Sequence, residues 1–81
     1  MNYDVIQARY VDGYKIRPRF RDGTTGELDL RSALNGPVFK PLINVNYFKR
    51  FGIHEVFHTL VWPNGAEIAP KYLYEHSRKT A

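Results

Sequence analysis

The pattern in the sequence with the most specific chemical meaning is His54-Glu55-Val56-Phe57-His58, a match to H-E-x-x-H. In zinc peptidases this pattern lies on a helix, where two imidazoles four residues apart bind one zinc ion and the glutamate activates its water. Glu75 or His76 could return as the third protein ligand that such a site requires. A helix here would also carry one apolar stripe, formed by Ile53, Val56, Phe57, Leu60 and Val61.

The surrounding residues favour extended structure over a helix. Gly52 and Pro63 leave only ten residues between helix breakers, and strand-forming residues dominate that interval. A strand would place His54 and His58 on the same face about 13 Å apart, which is too far for one zinc ion. We therefore expect surface histidines in a strand pair, with no catalytic residue, no metal and no cofactor, and we keep zinc-dependent hydrolysis only as a minor alternative.

A second chemical pattern is a row of alternating basic residues in a stretch of period two, formed by Lys15, Arg17, Arg19 and Arg21. On a strand these side chains would project to one side about 6.6 Å apart. Such a row could follow the phosphates of a nucleic acid. Alternatively, cross-strand ion pairs of Arg19 with Asp29 and of Arg21 with Glu27 would give it a structural role. These pairs would leave Lys15 and Arg17 without acidic partners.

Composition is compatible with a polyanionic partner and gives no sign of a membrane protein. Twelve Lys and Arg against eight Asp and Glu give a net charge of +4, although many domains carry such a charge for solubility alone. There is no cysteine and no apolar run long enough to span a bilayer. The first residues lack a signal-peptide pattern. These features predict a cytoplasmic protein with one domain, residues 1–81, whose thin core would benefit from homo-oligomerisation.

The first 30 residues predict three antiparallel strands with their apolar members on one face. We expect a three-residue loop ending at Gly13, which sets Tyr10 opposite Tyr14 and Ala8 opposite Ile16. Asp22, Gly23 and Gly26 should close the second hairpin, with Phe20 opposite Leu28. Pro18 lacks a donor in the middle of a strand, so either a bulge lies there or its nitrogen faces away from a partner.

The central region predicts short helical segments and packing residues. A helical turn over residues 31–36 should end at Gly36, and an extended crossing over residues 37–42 should bring Val38, Phe39 and Leu42 to the core. Asn44 or Asn46 should cap a short helix that carries Tyr47, Phe48 and Phe51.

The last third of the chain is organised around Trp62, the only tryptophan. An indole can bury 150 to 250 Å², so Trp62 is the best candidate for the centre of the core. Pro63, Asn64 and Gly65 predict a tight turn. A carboxy-terminal helix should begin at Pro70 and lay Leu73 on the core.

These residues resemble the signature of the DUF2442 family of small bacterial proteins. The similarity covers nearly the whole chain and is carried by short motifs, namely Trp62-Pro63-Asn64-Gly65-Ala66, Pro70, Leu73-Tyr74, Phe20-Arg21-Asp22-Gly23, Gly26-Glu27-Leu28-Asp29-Leu30, Val38-Phe39-Lys40-Pro41-Leu42 and Phe48 before Phe51. The resemblance implies a compact α+β domain, in some cases fused to a helix-turn-helix or encoded beside a toxin-like partner. It brings no catalytic set.

Together these observations predict an α+β fold with a three-stranded antiparallel sheet, short helices, a small strand pair over residues 53–62 and a carboxy-terminal helix. The leading functional hypothesis is a non-enzymatic domain that binds another protein, in an antitoxin-like role suggested by the family resemblance. The alternative is nucleic-acid binding through the basic row.

Overall fold

The computed structural model describes residues 2–79 and confirms the α+β architecture. Met1, Thr80 and Ala81, which the predicted domain includes, lie outside the described residues. Strands β1 (Val5–Asp12), β2 (Lys15–Phe20) and β3 (Gly26–Asp29) form the predicted antiparallel sheet. A further strand, β6 (Arg78–Lys79), pairs with β3, so the sheet order is β1-β2-β3-β6. This fourth strand was not predicted from the sequence.

The first hairpin forms with a different register from the one predicted. Tyr10 lies opposite Ile16 and Ala8 opposite Pro18, and Gly13 adopts the expected positive φ of 51°. An irregularity between Tyr10 and Asp12 absorbs an extra residue beside the turn. The predicted pairs were therefore wrong by two residues. Because side chains alternate with a period of two, the apolar residues still share one face.

The second hairpin differs by four residues. Ile16, not Phe20, lies opposite Leu28, and Lys15 lies opposite Asp29. Asp22 and Gly23 occupy the turn, where Gly23 has a φ of 91°. Gly26 does not close the turn but begins β3, where it is buried. The shift arises because Phe20 N donates to Thr24 O, so the hairpin closes over residues 21–23 and its connection is shorter than the predicted one.

Pro18 is fully buried in the second strand. Its backbone nitrogen, which has no hydrogen to donate, faces β3. Backbone bonds from Leu30 N to Tyr14 O and from Phe20 N to Thr24 O place even-numbered β2 residues in hydrogen-bonded positions with β3. The β2–β3 pairing is correspondingly interrupted between Ile16 and Arg19, whereas β1 pairs with β2 continuously through Ala8 and Pro18. No bulge lies at Pro18 itself. The ladder tolerates the proline by losing one hydrogen bond.

The segment after β3 is a chain of short turns. A 3-10 turn spans Arg31–Ala33, and Gly36 follows with a φ of 85°. The predicted extended crossing at 37–42 was wrong, because residues 37–39 form a turn that leads into a second 3-10 turn, Lys40–Ile43. Leu42 is buried and Phe39 half-buried as expected, but Val38 is 48% exposed and does not enter the core.

Helix α1 (Val45–Phe48) is a single turn whose start is fixed by Asn44. The Asn44 side chain accepts a hydrogen bond from the backbone N–H of Asn46. This is the predicted cap. The turn directs Phe48 fully into the core and leaves Tyr47 half-buried.

The last third of the chain follows the predicted plan. Strands β4 (Gly52–Ile53) and β5 (Leu60–Val61) pair, and the chain then reverses through Pro63, Asn64 and Gly65, which has a φ of 89°. Asn64 fixes this turn, since its Oδ1 accepts from Ala66 N and its Nδ2 donates to Val38 O. Helix α2 (Pro70–His76) begins at Pro70 and buries Leu73.

The core lies between the inner face of the sheet and the segments that follow it. Trp62 is buried in this core, and its indole N–H donates to the backbone oxygen of Phe48 at 2.8 Å. The Phe48 ring is 5.8 Å from the indole. The other fully or nearly fully buried apolar residues are Val5, Ile16, Phe20, Leu28, Leu30, Leu34, Leu42, Leu60, Ala66, Ile68 and Leu73. Across the described residues, no helix has the length and apolar character needed to cross a membrane.

Candidate interaction surface

The outer face of the sheet, opposite the core, carries most of the strand-borne cations. Lys15, Arg17 and Arg19 of β2 are exposed, as the alternation predicted, and Arg21 follows them just after the strand. The strand register brings two further cations, not predicted from the sequence, to the same face. Arg9 of β1 lies opposite Arg17, and Arg78 of β6 lies opposite Glu27. We call the set Arg9, Lys15, Arg17, Arg19 and Arg78 the basic face.

Two of the four predicted cations make ion pairs, but with partners other than those predicted. Arg17 binds Glu27 at 2.8 Å, and Arg21 binds Asp4 at 3.2 Å. The expected pairs of Arg19 with Asp29 and of Arg21 with Glu27 do not form, because the β2–β3 register is shifted by four residues. The two observed ion pairs, Arg17–Glu27 and Arg21–Asp4, lie at the surface, so each contributes at most about 1 kcal/mol.

The remaining cations of the basic face have no ion-pair partner among residues 2–79. Arg9, Lys15, Arg19 and Arg78 make no salt bridge there, although Lys15 lies across from Asp12 and Asp29, and Arg78 lies across from Glu27. Arg9 and Arg17 are directly opposite each other on neighbouring strands. Like charges in that position are unfavourable. The basic face therefore has a local excess of positive charge that a bound anionic group would neutralise.

The H-E-x-x-H residues, 54–58, lie in the connection between β4 and β5. They belong to neither a helix nor a strand. Residues 55–57 form a turn, and His58 has a φ of 50°, in the left-handed region. The predicted placement of both histidines on a strand was therefore wrong, because β4 and β5 are only two residues long. Within residues 2–79, no group of three or more His, Cys, Asp or Glu residues is arranged to hold a metal ion.

His54 has a structural role in this turn. Its Nδ1 accepts hydrogen bonds from the backbone N–H groups of Val56 and Phe57, each at 3.0 Å. The Phe57 ring lies 4.6 Å from the imidazole. Together these contacts hold a turn whose apolar side chains face solvent, with Val56 69% and Phe57 58% exposed.

Replacing His54 with alanine should loosen this turn and lower the free energy of unfolding by about 1 kcal/mol, as loss of a helix cap does. Asparagine is the matched control, since its Oδ1 is as many bonds from Cα as the histidine Nδ1. We expect His54→Asn to restore slow amide exchange at Val56 and Phe57 relative to His54→Ala. Equal exchange in the two variants would contradict the capping role.

Asp22 and Tyr74, two residues of the family-like signature, join the second hairpin to α2. The Tyr74 hydroxyl donates to Asp22 Oδ2 at 2.8 Å, while Asp22 Oδ1 accepts from the backbone and side chain of Thr24. The Tyr74 ring packs edge-on against Phe20. The hydrogen bond to Asp22, followed by desolvation, raises the pKa of Tyr74 above its ordinary value of 10.0.

This contact makes stability depend on alkaline pH. Because the folded pKa of Tyr74 is raised, its contribution is fully present below about pH 10 and is lost as pH rises through the folded value. Tyr74→Phe should therefore flatten the fall in urea midpoint between about pH 9 and about pH 12. Tyr72→Phe, on the same helix but without a hydroxyl hydrogen bond among the described residues, is the control. An unchanged slope in Tyr74→Phe would contradict the assignment.

Two open clefts lie beside α2, away from the basic face. One, of about 640 Å³, is bordered by Asn2, Tyr3, Asp4, Ala69, Pro70 and Lys71. The other, of about 270 Å³, is lined mainly by apolar side chains, including Phe39, Ile68 and Tyr72, together with Glu67. Neither brings together an acid, a base and a nucleophile in the way that a catalytic site requires.

A small α+β domain with a cation-rich open sheet face is thus the class of protein that the fold and surface define. The chain belongs to the family described as "Protein of unknown function (DUF2442)", whose model matches residues 5–79. No curated protein and no solved structure matches the chain. The family assignment confirms the resemblance and carries no activity with it.

Proposed function

We propose that this protein is a non-catalytic interaction domain whose basic face binds an acidic surface of another protein. The observation that carries this proposal is the Arg9–Arg17 pair, in which two like charges face each other on adjacent strands. Arg17 is neutralised by Glu27, but Arg9, Lys15 and Arg19 have no ion-pair partner among the described residues. An acidic partner would relieve this repulsion and would associate faster because of charge complementarity.

A protein partner suits the face better than a nucleic acid does. Single strands are held by aromatic side chains on which bases stack, yet the aromatic residues of the hairpins pack on the core side. Tyr10, Tyr14 and Phe20 all pack with the core, and Tyr3 lies against Tyr74. Nucleic-acid binding through the basic face is therefore the second candidate, supported by charge alone.

The family resemblance suggests a particular form of this proposal, an antitoxin-like role in which the partner is a small toxin-type protein. We place the interaction in the cytoplasm. Self-association would add stability to the thin core, and it is compatible with a separate partner on the basic face.

The test compares two double variants of equal charge change. Arg9→Glu with Arg19→Glu reverses two cations of the basic face, whereas Lys40→Glu with Lys71→Glu reverses two exposed cations outside the sheet. The probes are poly-glutamate of about 20 residues and single-stranded DNA of about 20 nucleotides, titrated near 0.15 M salt. We expect saturable binding of poly-glutamate by the wild type, loss of about tenfold or more in the first variant, and little loss in the second.

Tighter binding of the DNA would favour the second candidate. In that case the salt dependence should become shallower by about 0.7 in the log–log slope for each phosphate contact removed. Equal losses in the two double variants would show only an effect of net charge and would contradict the proposal. Circular dichroism and urea denaturation of both variants verify that the fold is intact.

A further inference from the structure

Strand β1 forms one edge of the sheet, and the outer side of its middle stretch makes no backbone hydrogen bond within residues 2–79, although β4 lies close to β1. Among the described residues, the backbone of residues 6–12 is hydrogen-bonded only within the hairpin with β2. The start of β1 is different. There Val5 N donates to His58 O at 2.8 Å, so the β4–β5 turn covers that position. The open stretch lies between the register shifts at Val5–Gln7 and at Tyr10–Asp12.

The alternation of hydrogen bonds along the strands identifies which backbone N–H and C=O groups of β1 point away from β2. Even-numbered residues of β2 point their backbone groups toward β3, as the bonds Leu30 N to Tyr14 O and Phe20 N to Thr24 O show. Odd-numbered β2 residues therefore point toward β1, which makes Arg17–Arg9 and Arg19–Gln7 the hydrogen-bonded pairs. Ala8 and Tyr10 consequently present their N–H and C=O groups outward. These four groups are a template for one additional short strand.

The charge of the edge discriminates between a second copy of this chain and a different strand. In a two-fold pairing that uses Ala8 and Tyr10 of both copies, Ala8 lies opposite Tyr10 of its mate, so Arg9 faces Arg9. That arrangement would add a second guanidinium pair beside the Arg9–Arg17 pair, and like charges directly opposite are destabilising. An acidic residue at the same position would instead neutralise Arg9.

We propose that the partner of the basic face binds by β-strand addition, placing an extended acidic segment along β1 with a carboxylate opposite Arg9. This inference rests on the proposed function and specifies how the partner is held. The residues flanking the carboxylate pair with Ala8 and Tyr10 through backbone hydrogen bonds, and their side chains point to the core side of the sheet. Apolar residues suit those two positions, because Ala8 and Tyr10 pack against the core. The edge therefore selects an apolar–acidic–apolar sequence in extended form.

The probe is a peptide of alternating valine and glutamate, about eight residues long. With glutamate opposite Arg9, the valines occupy the positions that exchange hydrogen bonds with Ala8 and Tyr10, whereas the glutamate backbone faces away. N-methylation of the valines therefore removes the donors that the edge requires. N-methylation of the glutamates leaves them intact while preserving charge, composition and the number of methyl groups.

We expect the valine-methylated peptide to bind at least about tenfold more weakly than the glutamate-methylated peptide. Amide exchange at Ala8 and Tyr10 should slow when the unmodified peptide is added. On the protein side, Ala8→Pro should weaken binding while keeping the hairpin, because the proline nitrogen would face the open edge. The exchange experiment uses the unaltered protein, so the test does not depend on the folding of that variant.

Equal affinity for the two methylated peptides would overturn strand addition. Binding of poly-glutamate without binding of the alternating peptide would also overturn it, and both results would leave the proposed acidic partner intact. Absence of binding to poly-glutamate and to every peptide would overturn the proposed function as well. Peptide-dependent protection at Gln7 and Arg9 without protection at Ala8 and Tyr10 would contradict the assigned hydrogen-bonding phase.

Discussion

Replacing Trp62 with alanine should lower the free energy of unfolding by about 3 to 5 kcal/mol, the cost of removing a large buried aromatic side chain. The indole is 2% exposed and contacts the rings of Phe48 and Phe51. Domains of this size have total stabilities of only about 5 to 15 kcal/mol. The variant should therefore melt far below the wild type or fail to fold. Urea denaturation followed by circular dichroism measures the change.

Trp62→Phe separates packing from hydrogen bonding at the same position. Phenylalanine retains most of the ring contacts but cannot donate to Phe48 O, which the indole N–H reaches at 2.8 Å. Leaving a buried carbonyl unpaired costs about 1 to 3 kcal/mol, so this variant should fall between alanine and the wild type. Near-native stability of Trp62→Ala would contradict the central position of the indole.

Gly26→Ala should also destabilise the fold strongly. A Cβ atom at Gly26 would lie 2.4 Å from Ser77 Cβ and 2.9 Å from Ser77 Oγ, well inside van der Waals contact. Ser77 is buried and donates to Leu73 O, so it cannot rotate away without losing that bond. Overpacking of this kind costs about 1 to 3 kcal/mol. The expected result is a lower urea midpoint together with faster amide exchange in β6.

Gly52→Ala is the matched control for this substitution. Gly52 is also a strand residue, but no atom lies within 4 Å of its added Cβ. The same change there should be nearly neutral or slightly stabilising, because it restricts only the unfolded chain. Equal destabilisation at the two glycines would mean that backbone conformation, and not the contact with Ser77, limits residue 26.

The strand faces were predictable from the sequence, but the strand partners were not. The two hairpin registers were wrong by two and four residues, both even numbers, so Ile16, Phe20 and Leu28 still face the core. The two-residue period of a strand determines which face is buried, whereas register depends on turn geometry. A bulge beside the first turn and a second turn shorter than predicted decided the register here, and neither leaves a unique mark in the sequence.

The same distinction explains the candidate surface. Alternation alone identified Lys15, Arg17, Arg19 and Arg21 as a row, and all four are exposed. Their ion pairs depend on register, so the predicted partners were wrong. Arg9 could have been found from the alternation of β1, since it lies between the inward-facing Ala8 and Tyr10. Arg78 could not, because a two-residue strand has no periodicity and is positioned by contacts remote in sequence.

The turn around His54 shows the limit of motif matching. Strand-forming residues between Gly52 and Pro63 correctly indicated a strand pair, although Val56 and Phe57 lie in the turn. Asn64 and Gly65 form the predicted turn, and Trp62 is buried as predicted. However, no local rule placed His58 at a positive φ or made His54 Nδ1 an acceptor for two backbone N–H groups. These features arise because the backbone donors of a tight turn need a nearby acceptor.

The pairing of β6 with β3 joins residues far apart in sequence, and this has a consequence for folding. Glu27 and Arg78 are partners across about 50 residues of sequence, whereas β1, β2 and β3 pair through neighbouring turns. The entropy of closing so long a loop is recovered only after α2 has docked, so β6 should join the sheet late in folding. In the native state this two-residue strand should be the first part of the sheet to detach. Its amides would then exchange by a local opening that leaves the β1–β2–β3 meander intact.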